Sequence, residues 1–171
     1  MVERQFVKLL VACSSQALPF SFLKGFDMIK EFRGEYRFLS NFAPCEITYE
    51  GITYPTTEHA YQAAKTPDKE EKLRISKLST PGQAKRAGGK LSLPTNWFEI
   101  STYIMKDILY IKFSMEPFKT QLLATGTEFL AEGNTWGDLF WGVDLATGEG
   151  QNVLGFLLME LRDMIAQRNE K

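Results

Sequence analysis

Histidine and cysteine are nearly missing from this chain, with one histidine and two cysteines in 171 residues. Cys13 and Cys45 are too far apart for a metal-ligand spacing and too few for a disulfide framework, which excludes a stapled secreted fold. His59 has no second histidine to join it, and no HExxH motif follows, so a zinc hydrolase is excluded too. No metal and no cofactor is expected. An excess of charge of one sign is also lacking, since 20 Lys and Arg oppose 21 Asp and Glu for a net charge of −1. No global field draws the protein to nucleic acid or an anionic membrane, and any phosphate must be recognised locally. Nor does any apolar run approach the roughly 20 residues of a membrane span. A reducing cytoplasm is the expected setting, with no membrane partner.

What is present suits one compact domain: 44% of residues are hydrophobic and 24% charged, and a chain of this length can bury a substantial core. Leu10, Val11, Ala12 and Cys13 imitate a lipoprotein cleavage box behind Arg4 and Lys8, but the apolar run from Leu9 to Ala12 is too short for a signal segment. The composition turns charged and aromatic at Met28. Residues 1–27 therefore read as an extension dispensable for chemistry, and residues 28–171 as the working domain.

Within that domain, CEITYE and ITY flank Gly51 and predict a small β-hairpin turning at Glu50 and Gly51. Pro55, Thr56 and Thr57 start a helix over about 57–65, stopped by Thr66 and Pro67. DKEEKLRISKL predicts a charged helix, and Thr80, Pro81 and Gln83 a capping-box start for a short one closed by Gly88 and Gly89. Trp97, Ile100, Ile104, Ile108, Ile111 and Met115 mark the core stripe of a long helix ending before Pro117. The C-terminal NVLGFLLMELRDMIAQ is similarly periodic, with Asn152 at the N-cap and Leu154, Leu157, Leu158, Leu161 and Ile165 facing inward. The stretch EGNTWGDLFWGVDLATGEGQ between these two helices reads as a long functional loop.

On the 57–65 helix, Glu58, Gln62 and Lys65 fall within roughly 60° of arc, whereas His59 points about 100° away from Glu58. The natural set is Glu-Gln-Lys rather than Glu-His. Glu58 and Lys65 are about 10 Å apart in rise, beyond ion-pair spacing, and are able to bracket a ligand; a solvated helix face is the plainer alternative. His59 is expected to be a core or supporting residue. In FLSNFAP, Ser40 and Asn41 either form an Asx-type turn or point polar groups at a ligand. In WGDLFWG, the Trp136 indole can stack on a base, Gly137 permits close approach and Asp138 suits ribose hydroxyls. The GEGQN run up to Asn152 is a weak phosphate-holding signal before a helix start.

Together, FRGEYRFLSNF, YPTTEHAYQAAK, TPGQAKRAGG, Trp97 followed by MKDILYIKF, WGDLFWG and GQNVLGFLLMELR resemble the NADAR superfamily, in order from about residue 30 to 168, and its bacterial YbiA-like N-glycosidases most closely. The resemblance implies a compact, predominantly helical α+β domain that hydrolyses N-glycosidic bonds of exocyclic N-ribosides. The implied partners are phosphorylated ribosylaminopyrimidine intermediates of riboflavin biosynthesis or, alternatively, ADP-ribosylated guanine in DNA or RNA. It casts Lys65 as a nucleophile forming a Schiff base, Glu58 as base or charge stabiliser, and Asp138 as orienting ribose or sharing proton transfer. Arg33, Lys85 and Lys112 become phosphate contacts. Many relatives carry Gly-Arg where this chain reads Gly88-Gly89, so a phosphate-binding cation is missing there. A module that binds ADP-ribose or a nucleotide without cleaving it is the reading from another class.

Overall fold

The computed structural model of the chain describes residues 27–169; the proposed N-terminal extension lies almost wholly outside them. The described chain is a predominantly helical α+β structure whose contacts group it into two compact units, residues 33–124 and residues 27–32 with 125–169.

In the 33–124 unit, a short 3-10 helix at Gly34–Leu39 leads to β2 (Ile47–Tyr49) and β3 (Ile52–Tyr54), the antiparallel hairpin expected from the sequence. Its turn residues Glu50 and Gly51 both take positive φ, 49° and 76°, the mirror-image turn that matches strand twist and favours glycine. Four helices follow: α1 (Thr57–Ala63), α2 (Lys69–Ser76), α3 (Pro81–Gly88) and α4 (Trp97–Phe113), and then the shorter α5 (Phe118–Ala124). Each of the first three starts on a side-chain cap. Thr56 accepts from His59 N, Asp68 from Glu70 N and Glu71 N, and Thr80 with Gln83 completes the capping box, each cap contributing about 1 kcal/mol. Lys72 pairs with Glu50 and ties α2 to the hairpin turn. Helix α1 is the hub, packing on α2, α3, α4 and both hairpin strands. Its Ala60 and Ala63 are fully buried, and these small side chains let the neighbours come close.

Helix α4 corrects the expected stripe. Trp97 and Ile108 are buried, but Ile100, Ile104, Ile111 and Met115 are only half-buried. Ser101, Met105, Leu109, Lys112 and Phe113 occupy the core-facing arc instead. The face is turned because Lys112, wholly buried, finds internal partners: its Nζ donates to Ser40 O at 2.9 Å and lies 5.0 and 5.3 Å from the ring centroids of Phe113 and Phe118. Apolar periodicity does not register a cation satisfied in this way.

In the other unit, β1 (Met28–Ile29) pairs in parallel with β4 (Phe129–Leu130), and β5 (Gly133–Asn134) with β6 (Val143–Asp144). Helix α6 (Val153–Asn169) packs on β4. Leu154, Leu157, Leu158, Leu161 and Ile165 are all buried, as their periodicity requires. Arg162 is buried as well, its Nη1 donating to Thr125 Oγ1 at 2.8 Å and Glu128 O at 2.9 Å, which fastens the turn that feeds β4.

Candidate active site

The site in the 33–124 unit begins with how α1 is anchored. Thr57 Oγ1 donates to both the carbonyl and the Oδ1 of Asn41, at 3.1 and 3.0 Å, and Glu58 N donates to Asn41 O at 3.1 Å. Ser40 Oγ accepts from Phe42 N at 3.1 Å, closing a tight turn. Ser40 closes a local turn, whereas Asn41 spends its side chain on Thr57 and on Met105 Sδ, both distant in sequence, and together they set the height of α1. His59 is supporting structure too. A carbonyl can only accept, so Nε2 donates to Leu78 O at 3.1 Å and Nδ1 accepts from Thr56 Oγ1 at 2.7 Å. Burial pushes its pKa below the usual histidine value, only partly countered by the bond to Leu78.

Glu58, Gln62 and Lys65 share one face, as their spacing requires. Glu58 is 6% exposed and Gln62 4%, and Gln62 Nε2 donates to Glu58 Oε1 at 2.8 Å. The helix ends at Ala63 rather than at 65, but Lys65 N still reaches Gln62 O at 3.3 Å, so the turn carries Lys65 onto the same face. Its Nζ sits 5.6 Å from the Tyr61 ring centroid and 5.9 Å from that of Trp97. These two rings, 5.5 Å apart and tilted by 50°, were not identified from the sequence as site residues. Tyr61 precedes Lys65 by four positions, a helical neighbour spacing that was available as a signal. Burial pushes the Lys65 amine below the ordinary lysine pKa; Glu58 works against this and Lys85 adds to it.

The α1–α3 contact also explains a glycine. A methyl group at Gly88 would overlap Gln62 Oε1 and come within 2.8 Å of its Cβ and 2.9 Å of its Cδ. Gly89 has φ −68° and is not left-handed, so the pair does not end α3 by an αL cap. Gly88 is there to admit Gln62.

Of the three expected phosphate cations, Arg33 and Lys85 are exposed, and Lys85 stands close enough to bias Lys65. Lys112 is 0% exposed, and its ammonium is committed to Ser40 O and two phenyl rings. It braces the Ser40 turn and presents no surface to a phosphate.

In the other unit, the 132–151 stretch is more ordered than a loop, because Asn134, a residue sequence reasoning missed, organises it. Its Nδ2 donates to Asp138 O at 2.8 Å and Val143 O at 3.1 Å, while its Oδ1 accepts from Trp136 N at 3.3 Å and Asp138 N at 3.0 Å. Trp136 is left 57% exposed. Gly137 takes φ 81°, so the turn itself asks for glycine. Asp138 is half-buried, with Oδ1 accepting from Trp141 N at 3.0 Å. Asn152 precedes α6 but does not offer its amide outward. Nδ2 donates to Leu130 O at 2.9 Å and Oδ1 accepts from Glu132 N at 3.0 Å, so the side chain ties the helix start to β4.

The chain is similar to known proteins over most of its length. The NADAR domain family model matches residues 28–166, running through both units as one domain. N-glycosidase YbiA of Escherichia coli is 39% identical over 135 residues, 77% of this chain and 83% of that one. A riboflavin biosynthesis protein of Vibrio vulnificus is 36% identical over 133 residues, 76% of this chain but only 36% of that longer protein. The NMR structure of E. coli YbiA superposes with a TM-score of 0.75 at 35% identity, covering 85% of this chain and 89% of that one. Among the described residues, no helix is long and apolar enough to cross a membrane.

Proposed function

Since the chain belongs to the NADAR domain family, we propose that it is an N-glycosidase acting on an exocyclic N-riboside that carries phosphate, with a ribosylaminopyrimidine phosphate as the substrate class. The observation that carries this reading is the placement of Lys65, half-buried against the Tyr61 and Trp97 rings on the helix face that carries Glu58, where burial shifts the amine towards its neutral form. A neutral amine is what nucleophilic attack on an imine needs.

The chemistry follows from those two groups. The glycosylamine ring-opens to an imine at C1. Lys65 Nζ adds to C1, the exocyclic amine departs with a proton, and a lysine Schiff base remains. Water then adds to C1, releasing the free sugar and restoring the amine. Glu58, with its carboxylate favoured near the N-terminus of α1, takes the proton from the attacking amine and returns it to the leaving nitrogen. Asp138 is assigned the second carboxylate role on its motif alone. Arg33 and Lys85, both exposed, are assigned to phosphate, and Trp136 with Gly137 to the base. Ser40, Asn41 and Asn152 contribute by fixing the backbone.

The exposed indole of Trp136 favours a second reading, removal of ADP-ribose from guanine in DNA or RNA, because a guanine flipped out of the stack needs an aromatic face and only a local basic rim. Side-by-side assays with a ribosylaminopyrimidine phosphate and an ADP-ribosylated oligonucleotide separate the two. Lys65→Ala and Glu58→Gln are each expected to lose most turnover on the true substrate while keeping the wild-type circular dichroism. Wild-type turnover in both variants refutes the assignment.

A further inference from the structure

Gln62 lies on the face that carries the chemistry, yet it is 96% buried and both ends of its amide point into protein. The Nε2 end donates to Glu58 Oε1 at 2.8 Å. The Oε1 end has no hydrogen-bond partner and lies against the backbone of Gly88, where a β-carbon would overlap it. Leaving a buried carbonyl without a partner is costly, so this orientation is held by something stronger. Turning the amide over would set its oxygen against a carboxylate oxygen, so the charge on Glu58 keeps the donor end inward. Glu58 in turn favours the ammonium of Lys65.

We propose that Gln62 is a positioning residue that acts only through Glu58: its amide, seated in the space left by Gly88, fixes the rotamer of the carboxylate that serves Lys65, and it touches no substrate. This rests on the N-glycosidase reading for its kinetic consequence but not for its geometry. Methionine at this position keeps the length and apolar bulk and removes the donor.

The kinetic test is a double-mutant cycle on whichever of the two substrates the wild-type protein turns over. Gln62→Met is expected to lower kcat about 10–100-fold, the loss of one hydrogen bond to a charged group, with KM changed less than about twofold, as for an interaction made in the transition state alone. In the Glu58→Gln background the same substitution is expected to cause no further loss. Multiplicative losses in the double variant overturn the proposal, as does a raised KM with unchanged kcat. The geometric test needs no turnover and no Gln62 variant. In 15N-labelled wild-type protein, one Gln62 side-chain amide proton is expected to be shifted downfield and protected from exchange, and to lose both properties in Glu58→Ala; an amide signal unchanged by Glu58→Ala overturns the placement. A wild-type protein inert to both substrates refutes the N-glycosidase reading and leaves the amide measurement to decide this one.

Discussion

The α1–α3 contact yields a sharp mechanical test, because one helix carries two glycines in opposite circumstances. At Gly88 an added methyl group would overlap Gln62 Oε1 and crowd its Cβ at 2.8 Å, whereas at Gly82 the nearest group is the flexible end of Arg86 at 3.7 Å. Alanine at either position gains helix propensity, up to about 1 kcal/mol. Only at Gly88 is that gain opposed by overpacking, about 1–3 kcal/mol. Gly82→Ala is therefore expected to be neutral or stabilising, and Gly88→Ala to lie about 1–3 kcal/mol below it. At about 2–4 °C per kcal/mol for a chain of this size, the two melting temperatures should differ by about 2–12 °C. Urea denaturation followed by circular dichroism measures the same difference as a shift in midpoint. Gln62→Gly removes the three atoms nearest to the added methyl group, and in that background the penalty at position 88 should shrink. Equal stability of Gly88→Ala and Gly82→Ala refutes the packing argument and the account of Gln62 built on it.

The other expectations concern charge. Lys112→Ala should cost about 3 kcal/mol or more in urea denaturation, since it opens a cavity and strips a donor from Ser40 O; Lys85→Ala, at an exposed site, should leave stability within about 0.5 kcal/mol and raise KM for the phosphorylated substrate. His59 has a folded-state pKa below its ordinary 6.5, so the unfolded chain binds the proton first; stability should fall as pH drops from about 6.5 towards the folded value, and His59→Gln should flatten that slope in a pH series of melting curves. Lys65 should titrate below its ordinary 10.5 in 13C NMR, moving up in Lys85→Met and further down in Glu58→Gln, because Lys85 depresses and Glu58 supports its charge; a midpoint indifferent to both neighbours contradicts the electrostatic description.

Local chemistry was legible wherever a short stretch decides its own conformation. The Glu50-Gly51 turn, the Thr56 cap, the Thr80–Gln83 box and the α6 stripe all follow from neighbours in sequence. The Glu58-Gln62-Lys65 face did too, since helical spacing alone separates it from His59. What stayed hidden depends on partners distant in sequence. Lys112 turns the buried face of α4 because Ser40, 72 residues away, supplies a carbonyl. Gly88 reads as a helix stop until Gln62 is seen against it. Asn134 looks like one more polar loop residue, yet its amide gathers Trp136, Asp138 and Val143. Trp97 reads as core, which its burial bears out; Tyr61 stood out in no pattern, and the place of both rings against Lys65 appears only when α1 and α4 are packed.

The central claim is that Lys65 becomes covalently attached to the sugar, and borohydride trapping during turnover tests it most directly. Incubation of the wild-type protein with each candidate substrate and borohydride, followed by peptide mass spectrometry, should yield a reduced sugar adduct on the peptide containing Lys65, and none in Lys65→Ala. Steady turnover with no trapped adduct, or an adduct that persists in Lys65→Ala, contradicts the mechanism.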